Sequence, residues 1–109
     1  MSPSSIYAFS YTSGTTGTPK GAMISHENMM SIILASKSKI DVEESDSYLS
    51  YLPMAHSLER NMFNTISYYC ASIAIYGGDI KKIKEDLAIL KPTIFVTVPR
   101  LFNKMHDAI

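Results

Sequence analysis

The residues best suited to chemistry sit together near the start of the chain. The run Tyr11-Thr12-Ser13-Gly14-Thr15-Thr16-Gly17-Thr18-Pro19-Lys20-Gly21 threads hydroxyl side chains and three glycines around one lysine. Glycines let backbone N–H groups come close to an anion and reach turns closed to other residues. Successive N–H groups in such a turn form a concavity for anions. Hydroxyls add donors and the ammonium adds a point charge. Together these are the parts of a polyphosphate grip. The spacing is not that of a Walker A loop, which has glycine before the lysine and Ser or Thr after it; here Pro19 precedes Lys20 and Gly21 follows. Nor is it a dinucleotide fingerprint, because Gly14 and Gly17 have no third glycine in register. The plain alternative is a polar hairpin turn, since Gly, Ser and Thr are ordinary turn residues.

Two further segments carry polar groups at element boundaries. Leu52-Pro53-Met54-Ala55-His56-Ser57-Leu58-Glu59-Arg60 follows an expected strand, at the edge where open α/β sheets place ligands. A histidine there can donate to a carboxylate or line a pocket, or it can simply start a helix with its hydrogen bond satisfied. Glu59 and Arg60 are adjacent, so they do not face each other along a helix, and a solvated face is expected for both. The second segment runs from Lys91 to Met105 through Pro99 and Arg100. Arg100 stands where it can reach a phosphate, with surface pairing as the ordinary alternative.

The elements that position these groups follow from patterning. Ile6 to Thr12 reads as a buried strand. The loop returns through a short strand at residues 22–24. Ser25 suits an N-cap, with Glu27 in the first turn of a helix over residues 28–37, whose face carries Met29, Met30, Ile33 and Leu34. Residues 41–47 are expected to be an exposed acidic loop. Residues 48–52 form a strand stopped by Pro53; residues 58–69 form a helix with Leu58, Met62 and Ile66 spaced four apart. Residues 72–76 form a strand, Asp79 caps a helix over 80–90 with Ile83, Leu87 and Leu90 on one face, and residues 93–98 form another strand. Pro99 starts a last helix. This alternation predicts βαβ units with parallel strands, those at 72–76 and 93–98 covered on both faces. Cys70, among apolar neighbours, is expected to be a buried small hydrophobe.

Composition narrows the field further. The 109 residues are 46% apolar and 18% charged, the amount for one small folded domain. Ten acidic and ten basic side chains cancel, so there is no electrostatic case for nucleic acid or an anionic surface. One cysteine excludes a disulfide framework and points to a reducing, intracellular compartment. No apolar run approaches the ~20 residues of a membrane span, and the first residues lack the build of a signal peptide.

The run from Thr12 to Gly21 resembles the phosphate-loop signature of the AMP-forming adenylating enzymes, with Thr18 where that family varies. The Leu-Pro-x-Ala-His-x-x-Glu-Arg pattern, the Gly-Asp-Ile step at residues 78–80 and the Lys-Pro-Thr-x-Phe…Val-Pro-Arg-Leu-x-Asn-x-Met pattern are similar to the long-chain fatty acyl-CoA synthetase branch. The resemblance covers about residues 6–109. It implies an α/β fragment of the large N-terminal domain, βαβ units plus a phosphate-loop hairpin, forming a partial AMP-binding domain over residues 1–109. It also implies two half-reactions. A fatty carboxylate attacks the α-phosphorus of ATP, releasing pyrophosphate; the thiol of coenzyme A then displaces AMP. On this resemblance Thr12, Ser13, Gly14, Thr15, Thr16, Gly17 and Lys20 would contact the β- and γ-phosphates, in a loop mobile without nucleotide, and Thr12 would help place Mg²⁺. His56 would lie near the carboxylate and the acyl entrance, as the catalytic-site residue, and Arg100 would meet a phosphate of coenzyme A. The adenine-contacting segment, the ribose-holding Asp and the C-terminal domain with its lysine have no match here, so the isolated chain is expected not to complete the reaction. The resemblance is compatible with an endoplasmic reticulum or other organelle membrane reached through parts outside this chain. A coumarate-type or peptide-synthetase ligase and a non-catalytic binding remnant are the alternatives.

Overall fold

The computed structural model describes residues 2–12 and 17–106, and no side chains from residue 104 onward. Nine elements form two small sheets with their helices. The first sheet is an antiparallel hairpin of β1 (Ile6–Thr12) and β2 (Lys20–Ser25). Its register pairs Phe9 with Met23, Tyr11 with Gly21 and Thr12 with Lys20. Cross-strand partners share a face, so the hydroxyl of Thr12 and the ammonium of Lys20 leave the hairpin on the same side, at its tip. The return strand is longer than its apolar core suggests, because Lys20 and Gly21 pair as well. β1 is not buried: Phe9 and Tyr11 are exposed, Tyr11 to 73%. The hairpin meets its neighbours through few contacts, among them a hydrogen bond of 3.1 Å from Asn64 Nδ2 to the Tyr7 hydroxyl.

Ser25 caps α1 (His26–Ser36), with Glu27 in the first turn, as expected. Its hydroxyl accepts from the Asn28 N–H at 3.1 Å, and the Asn28 side-chain Oδ1 accepts from the Ser25 N–H at 3.1 Å, so two otherwise unpaired donors are satisfied reciprocally. Met29 and Ile33 are buried, whereas Met30 and Leu34 face outward.

The second sheet is built on β3 (Ser47–Ser50), crossing through α2 (Ser57–Tyr68) to the parallel β4 (Ser72–Ile75). A 3₁₀ turn at Ile80–Lys82, capped by the Asp79 carboxylate, leads into α3 (Ile83–Leu90), and α4 (Pro99–His106) closes the order. Among the described residues β3 is the strand most covered on both faces, with Tyr48, Leu49 and Ser50 buried. Its alternation sends Tyr48 toward α2, where it packs with Val42, Met62 and Ile66. Leu49 and Tyr51 go to the other side, against Ile83, Leu87 and Leu101. This is the helix–sheet–helix layering of doubly wound folds.

Four expectations are corrected. β4 is not enclosed, since Ile75 is 76% exposed. The strand expected at residues 93–98 reduces to a single parallel bridge between Ile94 and Tyr48. Leu49 and Ser50 of β3 lie beyond that bridge, yet Phe95 and Val96 form no further ladder with them among the described residues. The acidic segment before β3 is not simply exposed: Val42 is buried, and the half-buried Asp46 joins three segments. Its carboxylate accepts from Glu43 N at 2.8 Å and Thr93 Oγ1 at 2.6 Å, and its carbonyl accepts from Ser72 N at 2.9 Å. Those donors hold the Asp46 carboxyl below its ordinary range. Finally, Cys70 is exposed and sits at φ 58° just past α2. Its N–H reaches Ser67 O and the Ala71 N–H reaches Ile66 O, the paired closure that normally uses glycine at this position.

Candidate active site

Two regions hold the candidate residues. At the hairpin tip, Thr12 Oγ1 lies 3.5 Å from Lys20 O, at the outer limit of a hydrogen bond, and both side chains are exposed. Gly17 has φ 81°, a left-handed conformation that a side chain strains. Gly21 lies under the ring of Tyr11: a Cβ there would stand 3.2 Å from Cε1. The ring thus covers the residue after Lys20 and fixes the strand from which the lysine emerges. Ser13, Gly14, Thr15 and Thr16, the rest of the expected grip, lie outside the described residues.

The second region is the C-terminal edge of the parallel strands. A cavity of about 640 Å³ opens there, lined by Tyr51, Leu52, Pro53, Tyr76, Ile80, Val98, Arg100 and Leu101. Such a volume suits a small-molecule site. The walls are apolar or aromatic apart from Arg100, whose guanidinium brings the one formal charge among the lining residues. Leu52 and Pro53 arrive because β3 stops at Ser50; Val98 and Arg100 arrive because α4 begins at Pro99. Tyr51 ties the two sides. Its hydroxyl donates to Thr97 Oγ1 at 2.9 Å and accepts from Val98 N at 3.4 Å, while its ring stacks on Phe95 at 5.4 Å between centroids. A phenol therefore does at residues 97–98 what a strand ladder does elsewhere.

His56 is exposed and is not among the lining residues. It is the N-cap of α2: Nδ1 accepts from the Leu58 N–H at 3.3 Å. An accepting Nδ1 carries no proton, which leaves Nε2 as the nitrogen turned to a ligand. The helix-starting role is therefore present, and it orients the ring. The turn before it is closed by His56 N to Pro53 O at 2.8 Å. Arg60 reaches back to the same turn, Nε donating to Met54 O at 3.3 Å, with Nη1 buried and unpartnered among the described residues.

Glu59 is not on a solvated face. It is fully buried, with Oε2 accepting from the Tyr48 hydroxyl at 2.8 Å and Oε1 from the Ser50 hydroxyl at 2.6 Å. Burial and the neighbouring carboxylate push the Tyr48 phenol far above its ordinary range, so it stays a donor. This cluster locks the first turn of α2 to β3 and so holds the turn that carries His56. The sequence carries a faint signal for it, in that residues 48 and 50 share one strand face; nothing in the spacing says that residue 59 meets them.

Residues 1–108 match the AMP-binding enzyme family. The chain belongs to that family. It is 43% identical over 107 residues to long chain acyl-CoA synthetase 7, peroxisomal, of Arabidopsis thaliana, covering 98% of this chain and 15% of the relative. It is 39% identical over 111 residues to long-chain-fatty-acid–CoA ligase 1 of Homo sapiens, covering 98% and 16%. The chain thus spans about a sixth of the length of the curated relatives it matches. Among solved structures it is similar to ATP-bound MatB from Rhodopseudomonas palustris, with 28% identity, TM-score 0.81, and coverage of 95% of this chain and 21% of that one. It shares the fold of the o-succinylbenzoate CoA synthetase of Bacillus subtilis in complex with an acyl-adenylate, at TM-score 0.85 and 20% identity over 98% of this chain and 28% of that one. The α/β fold with its parallel strand pair is therefore that of the family's N-terminal domains. Among the described residues no helix is long and apolar enough to cross a membrane.

Proposed function

We propose that this chain supplies the phosphate-gripping hairpin and part of the acyl side of a long-chain fatty acid–CoA ligase. That enzyme converts a fatty acid and ATP to acyl-adenylate and pyrophosphate, then passes the acyl group to coenzyme A. The observation that carries the reading is an identity of 39–43% to long-chain synthetases and ligases along nearly the whole chain, hairpin tip and cavity-lining segments included. The apolar cavity beside a single guanidinium fits a substrate with a long apolar part and an anionic group.

In this reading Thr12, Ser13, Gly14, Thr15, Thr16, Gly17 and Lys20 hold the β- and γ-phosphates of ATP. Lys20 offsets the charge that develops on departing pyrophosphate. The described residues contain no cluster of three His, Cys, Asp or Glu that could hold a metal. A hydroxyl such as that of Thr12 fits Mg²⁺ nonetheless, because this ion keeps its waters and is held largely by substrate phosphates. Bound there, Mg²⁺ supplies further charge neutralisation on the phosphates. His56, through Nε2, meets the fatty carboxylate at the acyl entrance, and Arg100 at the cavity meets a phosphate of coenzyme A. The matched relatives include proteins whose names place them in peroxisomes; an intracellular organelle is the setting we propose.

The test is a complete synthetase in which this chain replaces the matched segment of the Arabidopsis synthetase 7. It is expected to release pyrophosphate in the presence of palmitate, ATP and coenzyme A. Lys20→Ala is expected to slow that release by about a hundredfold, the effect of removing one preorganised charge donor. A folded chimaera that binds ATP but releases no pyrophosphate with any fatty acid overturns the reading.

A further inference from the structure

We infer that Tyr51 sets the acyl selectivity of the cavity, acting through its hydrogen bond to Thr97. The inference rests on the ligase reading above and adds to it a named determinant of which fatty acids enter.

Tyr51 occupies a double position. It lines the cavity, and it also fixes the opposite wall, because its hydroxyl holds Thr97 Oγ1 at 2.9 Å and the Val98 N–H at 3.4 Å. Val98 and, beyond Pro99, Arg100 and Leu101 are lining residues too. Besides these bonds, the segment they belong to rests on the sheet through apolar packing of Val96 and Leu101, with little backbone pairing among the described residues. Its one ladder contact is the bridge at Ile94, and its first hydrogen bond there is from Ile94 N to Ser47 O at 3.0 Å. From residue 95 onward the aromatic stack of Phe95 on Tyr51 and the phenol bonds take over. The distance between the two walls is therefore governed by a side chain, not by backbone pairing. Tyr51 is itself buried and rigid at 5% exposure, so its oxygen is a fixed post. Removing the phenol oxygen takes both hydrogen bonds from that wall and lets it shift, and apolar pockets discriminate between substrates by single methylenes.

Tyr51→Phe keeps the ring, the stack and the lining surface and removes only the oxygen. Thr97→Val keeps shape and removes the acceptor from the other end. In the chimaeric synthetase, each is expected to shift the ratio of kcat/KM for 20-carbon over 12-carbon fatty acids by about tenfold toward the longer acid, the scale of one methylene in a fitted pocket. The double variant is expected to shift no further than Tyr51→Phe alone, because Thr97→Val removes a bond that Tyr51→Phe already removes. Loss of rate by the same factor for all chain lengths would show a merely structural role and overturn the inference. So would additive shifts in the double variant. A raised KM for coenzyme A with an unchanged acyl profile would also overturn it, assigning the cavity to the thiol substrate. A parent chimaera inactive with every acid is the separate failure of the ligase reading, and in that case the binding of a fluorescent fatty acid to the 109-residue chain, compared across chain lengths between Tyr51 and Tyr51→Phe, decides the inference: equal profiles reject it.

Discussion

Glu59 shows how a residue's setting outweighs its type. A carboxylate with no exposure, met by two neutral hydroxyls, is anchored by donors that cannot be allowed to ionise. Tyr48 is the sensitive one. Its acidity is suppressed in the folded chain relative to the ordinary value of 10.0, first by burial and then by Glu59. A group whose folded pKa is raised contributes stability that is fully present below its unfolded pKa and is lost as pH rises toward the folded value. The chain is therefore expected to keep its stability up to about pH 10 and to lose it steadily above. In Tyr48→Phe that alkaline decline should be shallower, although the variant starts less stable because Glu59 loses a donor. Urea midpoints measured between pH 8 and about 11 check this, and equal slopes in the two proteins would refute it. The family signature at Thr12–Gly21 was legible because it is local: hydroxyls, glycines and a lysine close together in sequence. Glu59 was not readable, because its partners lie on a preceding strand and its neighbour Arg60 made it look like one of a solvated pair.

Helix ends tell the same story one level up. The start of α1 was legible from Ser25, whose side chain reaches only three residues ahead. The end of α2 was not, since nothing marks Cys70 as the residue that must turn left-handed. At φ 58° a side chain crowds the following carbonyl. Cys70→Gly is expected to stabilise the chain by roughly 0.5–1 kcal/mol, the relief of that crowding exceeding glycine's extra freedom when unfolded. Thermal or urea unfolding measures it; a loss of stability would show that the closing turn does not need the conformation assigned. The segment after Pro92 is the converse case. Its β-branched run reads as a strand by composition, yet past Ile94 the segment is held by the Tyr51 side chain and by core packing, not by a ladder. Local propensity proposed the element and tertiary contacts overrode it.

At the scale of the molecule, the chain is a slab of 44 × 39 × 24 Å with a radius of gyration of 15.7 Å, larger than the ~13 Å of a compact chain of this length. The excess reflects the hairpin and the open outer faces: Phe9, Tyr11 and Met23 on the first sheet, Ile75 and Ile89 on the second unit, all exposed. Apolar surfaces of that kind drive association. The isolated chain is expected to show a light-scattering mass that rises with concentration, and Phe9→Ser with Met23→Ser is expected to lower it. A wild-type chain that stays monomeric at high concentration would contradict this. The layered α/β class was visible in the sequence because alternating strand and helix periods are repeated along it; which faces remain open was not, because that depends on what lies across them. Asp46 adds a temporal consequence. Its carboxylate and carbonyl take donors from Thr93, 47 residues on, and from Ser72. Contacts of such separation form late, after the cost of closing long loops. During synthesis the hairpin and α1 can assemble early, but the mouth of the cavity waits until the ribosome has released the residues beyond Thr93. The contacts of one aspartate thus follow the order of emergence: hairpin first, cavity last.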